Sequence, residues 1–588
     1  MNYATFNRCG RTLSALAVSA ALAAGNVAPA FAADADTTTP IKHVVVIFQE
    51  NASFDHYFGV YPVAANPEQS GGAPVPQFFP AVDTPTVNGL SATQPTAGPF
   101  ISNQGALLTQ NLNKVQPFLL GRNNALVCDQ DHGYTDEQRA VDAGASDQFA
   151  LPEGAGGTSA TGTGCQTATG TNVPGFAMAY FDGNTVTGLW NYAQNFAISD
   201  NSFNTTFGPS TPGAINLISG QTHGVQAVGA LVNSANLATV DALAVSLGVF
   251  VSDGGTGFTL VSDINSGLDD CGSLTSEGAA FIDPNFPSRN IGDLLNEHGI
   301  TWGWFGGGFA PTTPATATTP AACGASSPGH PGVTVPPPGA TAAQIHGPST
   351  DYSAHHSPFM YYPSTVNTHH LPFTTVAKIG KTDQANHQYD LNDFFTGLQA
   401  GVLPAVSYLK AKSIGDGHPG NSDSLSEQAF IVNTINTIMT SQFWKNTAII
   451  IAWDDSDGFY DHVTGPLVSA SATPADAFQS AGRCGTPAPG AFQGRCGYGP
   501  RLPLLVISPY SKINYVDHNL TDQTSVLRFI EENWDLGFID GAVTPPPGTG
   551  SFDRVAGQIN GMFDFDKTKK SPAVILDPAQ GTVVSSGD

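Results

Sequence analysis

The chain has 588 residues and a formal charge of −26, and charged residues make up only 12% of it, about half the roughly 25% usual in soluble domains. The acidic balance argues against a nucleic-acid-binding protein, because such a protein needs a basic face to displace counterions from phosphates. The hydrophobic content of 41% can fill a large core and argues against a disordered chain. The length suits one large domain with insertions as well as two or three modules.

The N-terminus has the order of features typical of a secretory signal peptide. Arg8 and Arg11 precede an apolar run, residues 13–24, that is too short to span a bilayer, and small residues follow up to Ala32. We predict cleavage after Ala32, which removes residues 1–32; the alternative is a buried N-terminal helix. No later stretch reaches the apolar length of a membrane span, about eighteen residues. We therefore expect a secreted or periplasmic protein without a transmembrane segment.

Three apolar runs predict buried strands: residues 41–48, 447–453 and 502–508. Continuous β-branched runs, as opposed to alternating ones, indicate strands that are covered on both faces, as in a parallel sheet. Helical patterns lie between and after these runs. They predict an α/β fold.

Two helices have clear sequence signals. The first is predicted to begin with a capping box, Ser424-x-x-Glu427, after which isoleucines recur at helical spacing. The second is predicted over residues 524–534 from its amphipathic pattern.

The chain is organised around one predicted catalytic domain, residues 33–564. Within it, residues 222–350 carry few strong strand signals and are predicted to form an inserted lobe, whereas residues 565–588 are predicted to be a peripheral tail. Several Pro-rich and Gly/Thr-rich stretches of low charge are expected to run over the surface.

The strands at 41–48 and 447–453 are both followed by side chains with oxygen ligands. The first leads to Glu50 and Asn51, which suit a hard divalent cation. The second ends in Asp454 and Asp455, whose mutual repulsion needs a cation or a proton to offset it. Ligands bind beyond the carboxyl ends of strands in open α/β sheets, so we predict a shared metal. The alternatives are a capped turn at the first strand and a solvated acidic turn at the second.

Asp461 and His462 follow the acidic segment closely. Support of a metal ligand is one interpretation of this pair. Ordinary turn residues are the interpretation that we favour from the sequence.

Ser210 lies at a predicted helix N-terminus, because it precedes Thr211-Pro212 and proline suits the first helical turn. Free N–H groups and the helix dipole at such a place favour an anion. This placement suits a nucleophile that attacks phosphorus beside a metal. From spacing alone, an N-cap is the commoner role for such a serine.

Four histidines lie in polar loops, not on apolar faces: His132, His355, His356 and His418. A phosphate-ester site needs donors to the non-bridging oxygens and an acid for the leaving group, and histidine supplies both at acid to neutral pH. Each one alone fits a surface histidine, and only the combined pattern favours a functional role. We predict no role at the site for the second histidine pair, His369 and His370.

Cysteine usage agrees with export. Cys9 lies in the predicted signal peptide, and an even number of cysteines follows it: Cys128, Cys165, Cys271, Cys323, Cys484 and Cys496. Six cysteines allow fifteen pairings. Pairing between sequence neighbours is the simplest interpretation, and Cys484 with Cys496 is the best supported because both flank one Gly/Pro-rich loop. No C-x-x-C occurs, so a zinc knuckle is unsupported.

Six blocks of sequence together resemble the bacterial phosphoesterase family that contains phospholipases C and secreted acid phosphatases, within the alkaline phosphatase superfamily. The blocks are Gln49-Glu50-Asn51-x-Ser53-Phe54-Asp55-His56-Tyr57-Phe58-Gly59, Gly208-Pro209-Ser210-x-Pro212, His356-x-Pro358-Phe359, His418-Pro419, Asp454-Asp455 with Gly458-Phe459-Tyr460-Asp461-His462, and Gly499-Pro500-Arg501-x-Pro503. They follow the family's order over about residues 41–535, and six blocks in order are highly specific.

The resemblance implies a metal-dependent phosphoester hydrolase with a three-layer α/β/α core, a mostly parallel sheet and loop-rich insertions. It implies that Ser210 is the nucleophile and a metal ligand, together with Glu50, Asn51, Asp454 and Asp455. The same resemblance gives four histidines contacts with phosphate or with the leaving group: His132, His355, His356 and His418. The implied mechanism is in-line attack by the serine and a covalent intermediate that water hydrolyses. One divalent ion is expected, and Mg, Ca, Mn or Zn would suit the oxygen ligands.

Departures from the family pattern bear on the substrate. Ser210 stands where phospholipases C often carry threonine, and Gly213-Ala214 stands where they continue with Asn-Arg. Ala52 replaces the usual arginine after Glu-Asn. Serine is more similar to the acid-phosphatase branch and favours cleavage of small phosphomonoesters.

The alternatives are a phospholipase C that cleaves phosphatidylcholine-type phosphodiesters, with a phospholipid headgroup as its substrate, and a non-catalytic secreted binding protein on the same scaffold. A sulfatase is disfavoured because the segment after Ser210 lacks the arginine of that core. A serine esterase is disfavoured because no Gly-x-Ser-x-Gly elbow is found.

Overall fold

The structure is a computed structural model. It describes residues 36–66, 76–90, 107–150, 175–228, 250–252, 254, 257–272, 279–282, 289–328, 349–477, 479–480, 483–541, 548–568 and 570–587. The predicted signal peptide, residues 1–32, lies outside these residues. Thr37–Asp588 form one compact unit.

An eight-stranded sheet lies at the centre of the fold. Its strands in chain order are β1 (His43–Gln49), β2 (Ala197–Ser199), β3 (Trp302–Gly306), β4 (Gln388–Asp390), β5 (Val406–Lys410), β6 (Thr447–Trp453), β7 (Leu504–Ile507) and β8 (Tyr515–Asp517). They lie side by side in the order β4-β3-β5-β1-β6-β7-β2-β8. Only β7 runs antiparallel to its neighbours, so the prediction of an α/β fold with a mostly parallel sheet is confirmed.

The three predicted strands form β1, β6 and β7, each with bounds within two residues of the prediction. Their apolar runs are continuous because both faces of the sheet are covered. Val45 and Ile47 point into one large cluster of buried side chains, while Val44 and Val46 on the opposite face are equally buried.

Helices connect the strands. The described helices are α1 (Phe54–Phe58), α2 (Tyr134–Val141), α3 (Thr187–Asn195), α4 (Ser210–Ser219), α5 (Ile291–Glu297), α6 (Leu391–Gln399), α7 (Ser424–Met439) and α8 (Thr524–Trp534). The second predicted helix, residues 524–534, is confirmed as α8. None of the described helices is long and apolar enough to cross a bilayer.

The start of α7 differs from the predicted capping box. The N-cap is Asp423, whose carboxylate accepts hydrogen bonds from the N–H groups of Leu425 and Ser426. Ser424 is the first helical residue, and Glu427 is buried and bonded to Tyr57 instead. The prediction of Ser424 as the cap is wrong because aspartate one residue earlier reaches the same free donors.

Smaller sheets surround the central one. Five strands form a second sheet: Val225–Val228, Phe250–Ser252, Phe258–Leu260, Asn265–Ser266 and Ala279–Ile282. They lie within residues 222–350, but β3 of the central sheet lies there too, and the inserted lobe stays a prediction. Five two-stranded pairs complete the set: Phe118–Leu119 with Ala179–Tyr180, Ser202–Phe203 with Thr521–Asp522, Ser326–Ser327 with Ser349–Thr350, Gln479–Ser480 with Arg483–Cys484, and Val574–Leu576 with Val583–Ser586.

The segment 565–588, predicted as a peripheral tail, contains the last of these strand pairs, Val574–Leu576 with Val583–Ser586. Val574 and Leu576 are buried in the main apolar cluster, and Asn436 of α7 exchanges hydrogen bonds with the main chain of Leu576. This part of the chain therefore contributes to the core.

Two of the predicted disulfides are confirmed: Cys271–Cys323 and Cys484–Cys496. Cys128 is also disulfide-bonded. Its predicted partner, Cys165, lies outside the described residues.

The cap assignment predicts different costs for two adjacent substitutions. Asp423→Ala removes the oxygen that accepts two helix N–H groups and should lower the free energy of unfolding by about 1 kcal/mol. Ser424→Ala should change it by less than about 0.5 kcal/mol, because the buried hydroxyl of Ser424 has no hydrogen-bond partner among the described residues. Urea denaturation followed by circular dichroism measures both free energies of unfolding. A larger loss in Ser424→Ala than in Asp423→Ala would contradict Asp423 as the N-cap.

Candidate active site

The loops that follow β1 and β6 are bound to each other. The last residues of these strands, Gln49 and Trp453, are paired in register, so both chains leave the sheet at the same place. The N–H of Asn51 donates to Asp454 Oδ1 over 3.0 Å, and the N–H of Ala52 donates to the carbonyl of Asp455 over 3.0 Å. The predicted oxygen ligands of the two strands therefore lie side by side.

Ser210 points its hydroxyl into this group of oxygens. It is the first residue of α4 and is 1% exposed. Its Oγ donates to Asp455 Oδ2 at 2.9 Å and lies 3.2 Å from Glu50 Oε2 and 3.4 Å from Asn51 Oδ1. The N-cap is Pro209, so the alternative role of Ser210 as a cap is wrong.

Gly213 allows α4 to approach β6 this closely. A Cβ atom at this position would lie 2.1 Å from the carbonyl oxygen of Asp454. Any side chain here would therefore push the helix that carries Ser210 away from the acidic loop. The departure of Gly213 from the phospholipase pattern thus has a structural consequence at the site itself.

The donor set fits a divalent cation. Five buried residues converge with oxygen atoms only: Glu50, Asn51, Ser210, Asp454 and Asp455. Among the described residues, Asp454 Oδ2 has no hydrogen-bond donor. Burial and the charges of Glu50 and Asp455 raise the pKa of Asp454 well above its usual value, and burial raises that of Asp455 to about 6. A hard cation would satisfy the open oxygen and offset this repulsion.

Three of the predicted histidines lie next to one another beside Glu50. The Nδ1 atom of His356 is 2.8 Å from Glu50 Oε1. The ring of His355 is nearly perpendicular to that of His356, with centroids 4.1 Å apart, and the ring of His418 is nearly parallel to it at 6.3 Å. The structure therefore brings these three imidazoles together, with His356 next to Glu50.

His132 approaches from another loop. Its Nδ1 atom lies 2.8 Å from the carbonyl oxygen of Gln130 and 3.7 Å from Asp457 Oδ1. Burial opposes its ionisation, yet the carboxylates of Asp455 and Asp457 hold its pKa well above the usual value.

The other histidines differ in charge. Burial likewise opposes ionisation of His418, but Asp129 and Glu50 raise its pKa to about 9. Burial lowers the pKa of His356 to about 3 in spite of Glu50. The site therefore combines protonated and neutral imidazoles, which suits both anion binding and proton donation.

Sequence reasoning missed several groups at the site: the buried Glu137, Lys410, Asp416 and Asp457, and the partly buried Asp263. Asp457 accepts from Asn51 Nδ2 over 3.0 Å and was within reach of prediction, because it belongs to the same acidic segment as Asp454. Lys410 ends β5, the neighbour of β1, and a charged residue that closes an apolar strand is a usable signal.

Glu137 and Asp263 hold the segment around Ser210. The N–H of Gly208 donates to Glu137 Oε2 over 2.8 Å, and the N–H of Thr211 donates to Asp263 Oδ1 over 2.9 Å. Burial raises the pKa of Glu137 to about 8. No pattern in the sequence links these residues to Ser210, because only the folded chain brings them together.

Asp461 and His462 are not ordinary turn residues, and the interpretation that we favoured is wrong. Both are buried. His462 Nδ1 lies 2.6 Å from Asp55 Oδ2, and Arg501 Nε donates to Asp461 Oδ1 over 2.8 Å. Asp55 also receives a guanidinium contact from Arg501 at 3.2 Å, so this network connects the segments that follow the loops after β1 and β6.

A buried carboxyl group, that of Glu427, bonds to Gln49 at the end of β1 and to Tyr57 in the helix that follows. Glu427 of α7 accepts from the hydroxyl of Tyr57 over 2.6 Å and from Gln49 Nε2 over 3.3 Å. Burial, with the nearby charge of Asp416, raises its pKa to about 8. This glutamic acid is therefore neutral at acid and neutral pH.

Comparison with known proteins agrees with this geometry. The sequence model described as the Phosphoesterase family matches residues 41–537, most of the chain. The matched range includes all the predicted oxygen ligands, Ser210 among them, and the four predicted histidines.

Individual relatives match over shorter stretches. Phospholipase C A of Mycobacterium tuberculosis is 30% identical over 173 residues, which cover 29% of this chain and 32% of that protein. Non-hemolytic phospholipase C of Burkholderia pseudomallei is 31% identical over 171 residues, 29% of this chain and 24% of that protein. Non-specific phospholipase C6 of Arabidopsis thaliana is 32% identical over 132 residues, 21% and 23% of the two chains. The matched part thus spans about a third or less of each relative's length.

Glu427 predicts a pH dependence of stability. Its pKa in the folded chain, about 8, lies above the ordinary 4.5, so the folded chain keeps a proton that the unfolded chain releases between these values. This group's contribution is complete below about pH 4.5, and it is lost as the pH rises towards 8, by at most about 1.4 kcal/mol per pH unit. Glu427→Gln should remove that part of the slope. Urea denaturation at several pH values measures it, and an unchanged slope would contradict the prediction.

Proposed function

The chain belongs to the phosphoesterase family, and on that premise we propose that it is a metal-dependent phosphoester hydrolase in which Ser210 is the nucleophile. The observation that carries this proposal is the position of Ser210 Oγ within 3.4 Å of oxygens from Glu50, Asn51 and Asp455. A hydroxyl that served only to cap a helix would face its own backbone instead.

The proposed ligands of the divalent ion are Glu50, Asn51, Asp454, Asp455 and Ser210. When bound, the ion supplies positive charge that stabilises the attacking oxygen and the phosphoryl oxygens. Magnesium, calcium, manganese and zinc all remain candidates for this role.

The chain's own groups account for the proton transfers. Ser210 already donates its hydroxyl proton towards Asp455 Oδ2, which can hold that proton while Oγ bonds to phosphorus. As the bond from phosphorus to the leaving oxygen breaks, a protonated imidazole, His132 or His418, gives that oxygen a proton. Water then attacks the phosphorus of the phosphoserine and gives a proton to the imidazole that the first step left neutral. The bond from phosphorus to Oγ breaks, Asp455 returns the proton to Oγ, and inorganic phosphate leaves.

We propose small phosphomonoesters as the preferred substrates. The phosphate of a monoester carries more negative charge than that of a diester, and three groups near Glu50 and Asp455 carry positive charge: Lys410, His132 and His418. Coulomb attraction to such a cluster favours the more highly charged substrate. Serine at the nucleophile position supports the same preference.

The second candidate is a phospholipase C that cleaves phosphatidylcholine-type diesters. The names of the relatives favour it, since each of the three is called a phospholipase C. A non-catalytic binding protein is the third candidate, and the presence of every proposed ligand together with the nucleophile argues against it.

We also propose that the enzyme is secreted or periplasmic. The disulfides Cys271–Cys323 and Cys484–Cys496 support an oxidising compartment. The proposal is made because residues 1–32 have the order of features typical of a secretory signal peptide.

Removal of the nucleophile or a ligand should abolish turnover. Ser210→Ala and Asp454→Asn are each expected to lower kcat/KM for p-nitrophenyl phosphate by at least about a thousandfold. Ser424→Ala is the matched control, because Ser424 is also buried and also the first residue of its helix. Chelation should abolish activity, and added divalent ion should restore it in the control but not in Ser210→Ala. Full activity in both site variants would refute the assignment.

A substrate panel separates the first two candidates. We expect the purified protein to release p-nitrophenol from p-nitrophenyl phosphate faster than from bis-(p-nitrophenyl) phosphate. We expect the rate to fall as the pH rises through about 9, where His418 loses its proton. Phosphatidylcholine is the third substrate. Cleavage of the two diesters alone would establish phospholipase C activity instead.

A further inference from the structure

Glu50 uses its two carboxylate oxygens in different directions. Oε2 faces the hydroxyl of Ser210 at 3.2 Å. Oε1 is in contact with the ammonium group of Lys410 and lies 2.8 Å from His356 Nδ1. One carboxylate therefore borders two separate positions for positive charge.

The second position has the composition of a cation site. Glu50, His356 and Asp416 bring their ligand atoms within 4.8 Å of one another, and all three are buried. Lys410 lines the same small cavity as His356 and Asp416. Its Nζ contacts Glu50 Oε1 and lies 3.9 Å from Asp454 Oδ2, so an ammonium group stands among side chains suited to an ion.

The charges support this interpretation. When a divalent ion holds Glu50, Asp454 and Asp455 in their ionised form, they bring three negative charges to a buried centre, and the ion offsets two of them. A buried lysine at 4% exposure is costly unless it is paired, and here its ammonium group is paired with Glu50 Oε1. A second divalent ion at the same place would meet that ammonium group and be repelled.

We propose that Lys410 is the second cation of the centre: its ammonium group shares Glu50 with the divalent ion and occupies the place that a second ion would take, so the site works with one ion. This inference rests on the proposed function. Lys410 is a positioning and charge-compensating residue, since it contacts a ligand and not the reacting oxygen.

The test counts bound ions in the full chain. The protein is stripped with a chelator and titrated with Mn²⁺, which is followed by equilibrium dialysis and by electron paramagnetic resonance. We expect one Mn²⁺ per chain in the wild type, and two, with a spin-coupled signal, in Lys410→Ala, which opens the place of the ammonium group. Lys410→Arg should restore a single ion.

Lys412→Ala is the matched control. Lys412 lies two residues along the chain, is 41% exposed at its side chain and pairs with Asp351 at 2.7 Å, away from the ligands. We expect it to bind one Mn²⁺, as the wild type does.

Lys410→Met keeps the test decisive if the alanine variant fails to fold, because methionine fills the space without charge. We expect it to bind one Mn²⁺ and to bind inorganic phosphate, measured as competitive inhibition or by calorimetry, at least about tenfold more weakly than the wild type. If Lys410 only supported the fold, Lys410→Met would lower the affinities for Mn²⁺ and for phosphate together. Loss of the ammonium charge should weaken only phosphate binding.

Two Mn²⁺ ions in the wild type would overturn the inference. So would a single ion in Lys410→Ala together with unchanged phosphate affinity in Lys410→Met. A wild-type chain that binds no Mn²⁺ or other divalent ion would instead overturn the proposed function, and the inference with it.

Discussion

The repulsion among buried carboxylates at the ends of two adjacent parallel strands is the constraint on which the rest of the site depends. Glu50 follows β1, and Asp454 and Asp455 follow β6. The parallel register of these strands brings the three acidic residues to the same end of the sheet. Buried like charges are stable only if a cation or a proton offsets them. The site therefore fits a divalent ion by its electrostatics as well as by its oxygen atoms.

The surrounding structure holds these charges in place through other buried polar groups. Arg501 and His462 pair with Asp55 and Asp461 beneath the two loops, and Glu427 supports the end of β1 in its neutral form. Such networks are stabilising only when each member has a partner. Such a network would keep the proposed nucleophile, Ser210, next to the oxygens of Glu50, Asn51 and Asp455, as a reaction dominated by positioning and electrostatics requires.

Much of the site could be predicted because its residues follow strands that are easy to recognise. The β-branched runs located β1 and β6, and parallel strands place the residues at their carboxyl ends along one edge. The support groups could not be predicted in the same way. Glu137 lies on a polar helix far from Ser210 in sequence, and Asp461 and His462 look like turn residues until the fold buries them. The cap of α7 was misassigned to Ser424 because neighbouring polar residues compete for the same free N–H groups, and only backbone geometry decides between them.

The sequence by itself determined the fold class, the two central strands and the family resemblance, and it predicted which residues offer oxygen ligands. These features depend on local patterns and on order along the chain. The tertiary structure decided which groups face one another. It placed Lys410 against Glu50, brought α4 close to β6 through Gly213, and fixed which imidazoles carry charge. Those features depend on distances between residues that are remote in sequence, and charge–charge energies change steeply with distance inside a protein.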